Sequence, residues 1–245
     1  MNYKLFISAL FILGIIIYYN IPDIYSLCNI INKFLNCFCE RQSIFDTKDF
    51  NWSQNFRTNH ELIRNEYLKY TENNITPTYK NINSEVSFID KQSKWKALFL
   101  RAYGVDTNMC KYFPLTMKLI NISPCTLAFF SVLEAGAKLD SHIGIYKGVI
   151  RYHLGLTVPN NWQNCFLIVD KKKLHWHEGS DLMFDDMYTH SVENNTNQSR
   201  VILFLDIKRK FDNIIVDGMN NLFLKFIKSN DVLTETINNV NKYVK

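Results

Sequence analysis

Repeated Cys-x-x-Cys pairs are missing from this 245-residue chain, which argues against a structural zinc knuckle. Its 6 cysteines are too sparse for a disulfide-stapled scaffold, and Cys37 and Cys39 are too close together to hold a metal by themselves. No internal repeat is present, which leaves out the stacked-repeat folds. Concentrated charge of one sign is also lacking. The formal net charge of +5 is a mild basic excess that suits acidic ligands or an anionic membrane surface. It is too diffuse to point to nucleic acid, and no nucleic-acid partner is expected. The run Lys171-Lys172-Lys173 reads as a solvated hairpin tip.

What is there begins with an uncharged apolar run at 5–19, LFISALFILGIIIYY. It is slightly shorter than the ~20 residues that span a bilayer comfortably, with Tyr18 and Tyr19 placed for the interface. No small-x-small cleavage site follows, so the run reads as an uncleaved anchor rather than a removed signal peptide. Residues 1–22 are therefore expected to form a single-pass N-terminal transmembrane helix, with the protein localised at a membrane. Apolar residues from Ile24 to Phe38 recur at helical spacing and predict a juxtamembrane amphipathic helix. Residues 40–58 are polar and expected to be irregular. A short helix is predicted over 61–70 with Asn59 as its cap, and 71–93 reads as linker. Four Asn-x-Ser/Thr triplets, at Asn51, Asn74, Asn194 and Asn197, would be glycosylation acceptors in a lumenal domain.

From Trp95 the pattern changes. Short strands are predicted over 95–103, 126–133, 149–158, 165–169, 182–184 and 200–207, with a short helix over 114–120 that starts at Pro114. That spacing suggests a sandwich or jelly-roll barrel, and this length is enough for one such domain. Helices over 222–227 and 232–243 follow, with Leu222, Phe223, Phe226 and Ile227 as one apolar face. The expected organisation is an anchor (1–22), a juxtamembrane helix and linker (23–94), a β domain (95–210) and a C-terminal helical brace (211–245).

The chemistry-bearing residues lie in the β domain. Two neutral imidazoles converging from different strands suit a redox divalent metal, and His142 and His190 are the candidates. In the common two-histidine, one-carboxylate iron site, the carboxylate stands two residues after the first histidine. Here that position is Gly144, so either two protein ligands suffice or a nearby carboxylate such as Asp186 acts through water. His175 and His177 read as structural. A strand arginine such as Arg200 needs an anionic partner, and a guanidinium matches a carboxylate in bidentate fashion. Arg151 and His153, two apart, share a strand face. These residues together are suited to a dicarboxylate.

In order and spacing, several motifs in this stretch resemble the aspartyl/asparaginyl β-hydroxylase family of Fe(II)- and 2-oxoglutarate-dependent dioxygenases. They are Ser131, Gly136, His142-x-Gly144, Arg151-x-His153-Leu154-Gly155-Leu156, Trp176-x-x-Gly179, Phe184-Asp185-Asp186, His190, Arg200 and Leu205-Asp206. Cys110, Pro114 and Thr116 resemble its upstream segment. The resemblance implies a mainly β fold with flanking helices, a double-stranded β-helix of the jelly-roll kind. It implies Fe(II) on His142 and His190 with no carboxylate at position 144. Ser131 and Arg200 would hold the distal carboxylate of 2-oxoglutarate, and Arg151 and His153 the carboxylate beside its keto group. Asp186 would hydrogen-bond water at the metal. The implied reaction is hydroxylation of a C–H bond, at the β-carbon of peptidyl Asp or Asn, with a lipid acyl chain as the alternative substrate. A catalytically inactive, membrane-tethered binding module and a zinc or manganese protein on the same barrel are the competing readings.

Overall fold

The computed structural model describes residues 24–228 and 231–243. Two antiparallel sheets form its centre. The larger has seven strands in the order β1-β9-β6-β11-β4-β2-β3, and the smaller has four in the order β5-β10-β7-β8. In the large sheet the strands are β1 (Ile44–Phe45), β2 (Trp95–Ala102), β3 (Val105–Asp106), β4 (Cys125–Leu133), β6 (Val149–Thr157), β9 (Asp181–Phe184) and β11 (Arg200–Lys208). In the small sheet they are β5 (Lys138–His142), β7 (Cys165–Val169), β8 (Lys172–His175) and β10 (His190–Asn194). This is the jelly-roll arrangement expected.

The central strands β4, β6 and β11 are buried along almost their whole length, both of their faces being covered. On the outer face lie α2 (Ser53–Thr58) and α3 (His60–Thr71). Phe56 packs on Tyr152 with ring centroids 5.8 Å apart, and Tyr67 on Phe130 at 5.0 Å. On the inner face Phe129 is stacked between Phe99 at 4.6 Å and Phe204 at 4.2 Å. The small sheet instead alternates. Cys165, Leu167 and Val169 on β7, and His190, Val192 and Asn194 on β10, are buried while their neighbours are only half-buried. Period-2 alternation therefore points β6 residues 151 and 153, and β11 residues 200, 202, 204 and 206, towards the small sheet.

Several expectations need correction. No helix among the described residues is long and apolar enough to cross a membrane, which overturns the single-pass anchor and the membrane localisation drawn from it. The run on which that expectation rested, within 1–22, lies outside the described residues. The amphipathic helix does form, as α1 (Ile24–Leu35) followed by a 3-10 turn, Asn36–Phe38. Residues 40–58 are not irregular: they supply β1, a 3-10 turn and α2. Asn59 does precede α3, yet its amide donates back to the Asn55 carbonyl at 2.8 Å instead of capping. Strands β1, β3, β5, β8 and β10 are not among those expected. Asn194 cannot accept a glycan as folded, because it is fully buried and its amide donates to the carbonyls of Leu133, Glu134 and Gln198. All six cysteines are free thiols.

The C-terminal brace also differs. After α4 (Pro114–Asn121), the helix expected from Pro114, it consists of α5 (Ile214–Lys228) and α6 (Asp231–Asn241). The buried face of α5 is Val216, Asn220, Phe223 and Ile227, while Leu222 and Phe226 are exposed. The polar Asn220 completes the i, i+4, i+7, i+11 stripe.

Truncating the ring at the centre of the aromatic stack should expose how tightly this interior is packed. Phe129→Ala is expected to lower the unfolding free energy by ~3–5 kcal/mol in urea titration, the usual loss for a large buried ring. A loss under ~1 kcal/mol would mean the stack collapses around the hole and is not a rigid platform.

Candidate active site

The two histidines meet because of a β-bulge. β5 and β10 pair antiparallel with His142 directly opposite His190 and Leu139 opposite Val192. Between these pairs β5 has two residues, Asp140 and Ser141, where β10 has one, Ser191. The extra residue changes the alternation, so that His142 joins Leu139 on the inner side. The ring centroids of His142 and His190 are 4.1 Å apart. Nδ1 of His142 lies 2.7 Å from the Asp140 carbonyl, and Nδ1 of His190 lies 2.9 Å from that of Tyr188. A carbonyl only accepts, so both Nδ1 atoms carry the proton and Nε2 is the ligand-competent nitrogen of each ring. Burial lowers both basicities, and for His190, with His142 and Arg151 adding to it, the pKa falls to about 3.

A small cavity of about 30 Å³ lies between the sheets, lined by His142, His190, Ser131, Arg151, His153, Arg200 and apolar neighbours. Every residue expected at the site lines it except Asp186, which lines the wider cavity next to it. Arg200 is buried, and no carboxylate among the described residues pairs with it. Its guanidinium lies 4.5 Å over the Trp176 ring and reaches Ser131 Oγ at 3.4 Å, a hydroxyl already bonded by Trp95 Nε1 at 2.9 Å. Its Nε has no partner, and burial pulls its pKa down to about 10, which leaves it charged at neutral pH. Trp176 also donates from Nε1 to His153 Nδ1 at 3.4 Å. That bond fixes the proton of the neutral His153 on Nε2, a buried donor without a partner. Gly155 makes room for this: a Cβ there would meet the His177 carbonyl, so only glycine lets the 176–179 segment lie against β6.

Arg151 is placed differently from Arg200. Its NH2 lies 2.9 Å from Asp186 Oδ2, and its Nε lies 3.0 Å from Asp206 Oδ1, the residue directly opposite on β11. Burial works against its charge, but the two carboxylates outweigh that and raise its pKa. Asp186 is pushed up to about 6 by burial, with Arg151 opposing, and its Oδ1 is without a hydrogen bond. A Cβ built on Gly144 would fall inside the Asp186 carboxylate. The acid missing from position 144 is thus replaced in space by one from the turn after β9.

The donor set fits a divalent metal with a dicarboxylate beside it. It offers two neutral imidazoles presenting Nε2, one uncompensated guanidinium and one imidazole N–H without a partner. No group of three or more His, Cys, Asp or Glu side chains suited to a metal occurs among the described residues. Trp176, Trp95 and Asp206 were quoted in motifs or strands without a role; their contacts depend on register, which one sequence does not display.

Comparisons with known proteins identify the family. The model of the family described as aspartyl/asparaginyl beta-hydroxylase matches residues 57–210, and the chain belongs to that family. The ornithine lipid ester-linked acyl 2-hydroxylase of Rhizobium tropici is 37% identical over 166 residues, covering 66% of this chain and 59% of that protein. Human aspartyl/asparaginyl beta-hydroxylase is 29% identical over 106 residues, covering 41% of this chain and 14% of that protein. The chain thus spans less than two thirds of the length of these relatives. Among solved structures, a Pseudomonas putida prolyl-4-hydroxylase overlaps 63% of this chain and 88% of that one, at 13% identity and a TM-score of 0.42, too loose a likeness to argue from.

Two glycine substitutions should separate crowding from flexibility. Gly144→Ala drives a methyl into Asp186 and is expected to destabilise by ~1–3 kcal/mol. Gly218→Ala, in α5 with nothing within 4 Å of the added Cβ, is expected to stabilise by ~0.5–1 kcal/mol. Urea midpoints check both, and equal effects of one sign would refute the steric account of Gly144.

Proposed function

We propose that this protein is an Fe(II)- and 2-oxoglutarate-dependent hydroxylase acting on an unactivated C–H bond. The observation that carries the reading is the join between two neutral, bulge-aligned imidazoles and a buried guanidinium that lacks an anion. His142 and His190 would hold Fe(II). Arg200, with Ser131 beside it, would take the distal carboxylate of 2-oxoglutarate, and the Nε2 proton of His153 the carboxylate next to the keto group. Arg151 would contribute to that end while Asp186 and Asp206 hold its plane fixed. When bound, this pair supplies the oxidising power, with 2-oxoglutarate going to succinate and CO₂ as one oxygen atom of O₂ enters the substrate C–H bond. The protein's own part is positioning and shielding. Phe184, Phe204, Leu139, Leu167 and Val192 line the inner cavity and limit water there. Asp186, at the boundary between the inner and outer cavities, would orient a water or the substrate.

The substrate is a peptidyl Asp or Asn side chain on the family's name, and a lipid acyl chain on a second reading that the cavity walls favour. A cavity of about 310 Å³ opens from His142, Arg151 and Asp186, with Val86, Phe88, Ile89, Ile143 and Ile145 along it. An adjoining space of about 100 Å³ shares Tyr25, Tyr103 and Ile145 with it and continues to Ile24, Leu224 and Ile227. Such walls suit an apolar chain with a polar group at the Arg151 end. This chain also resembles the Rhizobium acyl 2-hydroxylase over more of its length than the human protein.

Anaerobic titration with Fe(II) and 2-oxoglutarate is the direct test. A visible charge-transfer band that needs both components and is lost in His190→Ala is the expected result, and a folded protein without the band would overturn the iron assignment. Arg200→Ala should raise the 2-oxoglutarate concentration that band needs by at least about thirtyfold, of the order of 2–5 kcal/mol for a buried charge pair; an unchanged requirement would move the clamp elsewhere. For the substrate, succinate release stimulated by dispersed acyl lipids, and cut at least fivefold by Leu224→Trp, supports the acyl reading. Stimulation by Asp- or Asn-containing peptides alone supports the peptidyl one.

A further inference from the structure

The loop from Ile143 to Gly148 leaves the site directly after His142 and enters β6 two residues before Arg151. A loop of this kind ordinarily spends its backbone groups on water. Here they are taken by side chains from two helices that both lie outside residues 57–210, the span of the family match. Asn32 of α1 donates from Nδ2 to the Ile145 carbonyl at 2.8 Å and accepts the Lys147 N–H on Oδ1 at 2.8 Å. Asn220 of α5 donates from Nδ2 to the Gly148 carbonyl at 2.9 Å and the Arg209 carbonyl at 3.0 Å, and accepts the Tyr146 hydroxyl at 2.7 Å. Both asparagines are buried. Each amide is used as donor and acceptor at once, which neither aspartate nor leucine can reproduce in that place.

The same loop is tied from below. The Gly144 N–H donates to the Asp186 carbonyl at 2.7 Å, Arg209 Nε donates to the Lys147 carbonyl at 2.9 Å, and Lys147 Nζ and Arg209 NH2 both pair with the buried Asp185 carboxylate. Without the asparagines, the loop would keep its ends and lose the bonds at Ile145, Tyr146 and Lys147, opposite the outer cavity.

We propose that Asn32 and Asn220 are positioning residues that clasp the 143–148 loop from two different helices and thereby fix His142 and the wall of the outer cavity. α1 and α5 are then working parts of the site through these two side chains. The metal arm of the test rests on the hydroxylase reading, whereas the loop arm does not.

Hydrogen–deuterium exchange over 143–148, and Mn(II) affinity read from the electron paramagnetic resonance of the free ion, are measured on the full chain. The variants are Asn32→Leu, Asn220→Leu and Leu35→Ala. Leu35 is a buried residue of α1 that packs in the same apolar cluster as Phe223 and Ile227, so its truncation loosens the helix without touching the loop bonds. Both asparagine variants are expected to speed loop exchange at least tenfold and weaken Mn(II) binding at least fivefold, with Leu35→Ala within twofold of the parent protein on both. Because the two asparagines reach the loop from different helices, failure of one variant to fold leaves the other to decide. Unchanged loop exchange in the asparagine variants, or an equal effect of Leu35→Ala, overturns the proposal. If the parent protein does not bind Mn(II), the metal reading fails and the exchange result still decides the clasp.

Discussion

The Arg200 guanidinium sits between two sheets with no carboxylate among the described residues paired with it, and the interior is arranged to tolerate that. A buried, unpaired charge costs several kcal/mol even after relaxation. The protein offsets part of this with the Trp176 face and the Ser131 hydroxyl. The remainder is carried by the apolar strands β4, β6 and β11, whose burial on both faces makes the large sheet strong enough to hold a group that destabilises it. A site built this way is preorganised for an anion before any anion arrives, which is how binding energy is turned into orientation. Trp176 owes its place to Gly155, where the backbone of the 176–179 segment comes too close for any side chain.

The second arginine shows the opposite solution. Arg151 is pinned between Asp186 and Asp206. The two cations of the cavity are therefore chemically unequal: one is already satisfied and serves as a fixed wall, and the other is available. Three neutral imidazoles complete the set. Burial keeps them neutral, and their proton positions follow from the partners of the other ring nitrogen, two carbonyls and one indole. Asp186 fills the space beside Gly144, so the acid that position 144 lacks is displaced along the chain and not lost.

The legible parts of the fold were those where one strand carries its own signal. Strands of continuous apolar residues, such as Thr126–Leu133, are buried on both faces and announce themselves. The small sheet was mostly hidden, because β5 and β8 are short and polar, and the lysines of β8 look like a solvated tip. Lys171 does stand in the turn, with positive φ, while Lys172 and Lys173 pair with β7. The residues of the site were legible through their order and spacing, yet their partners were not. Nothing in one sequence ties Arg151 to Asp206, or Asn220 to Gly148, since both depend on how distant segments come into register. The same reason explains the misread face of α5, where a polar residue does the work of an apolar one.

The bulge on β5 makes strand length a functional quantity. Drawn into regular alternation at its present length, β5 would place His142 on the face opposite Leu139 and turn the imidazole to the outside. A more regular sheet would therefore be an emptier one. A relative one residue shorter here would reach the same inward face by plain alternation, so the segment tolerates a change of length only together with a change in the bulge.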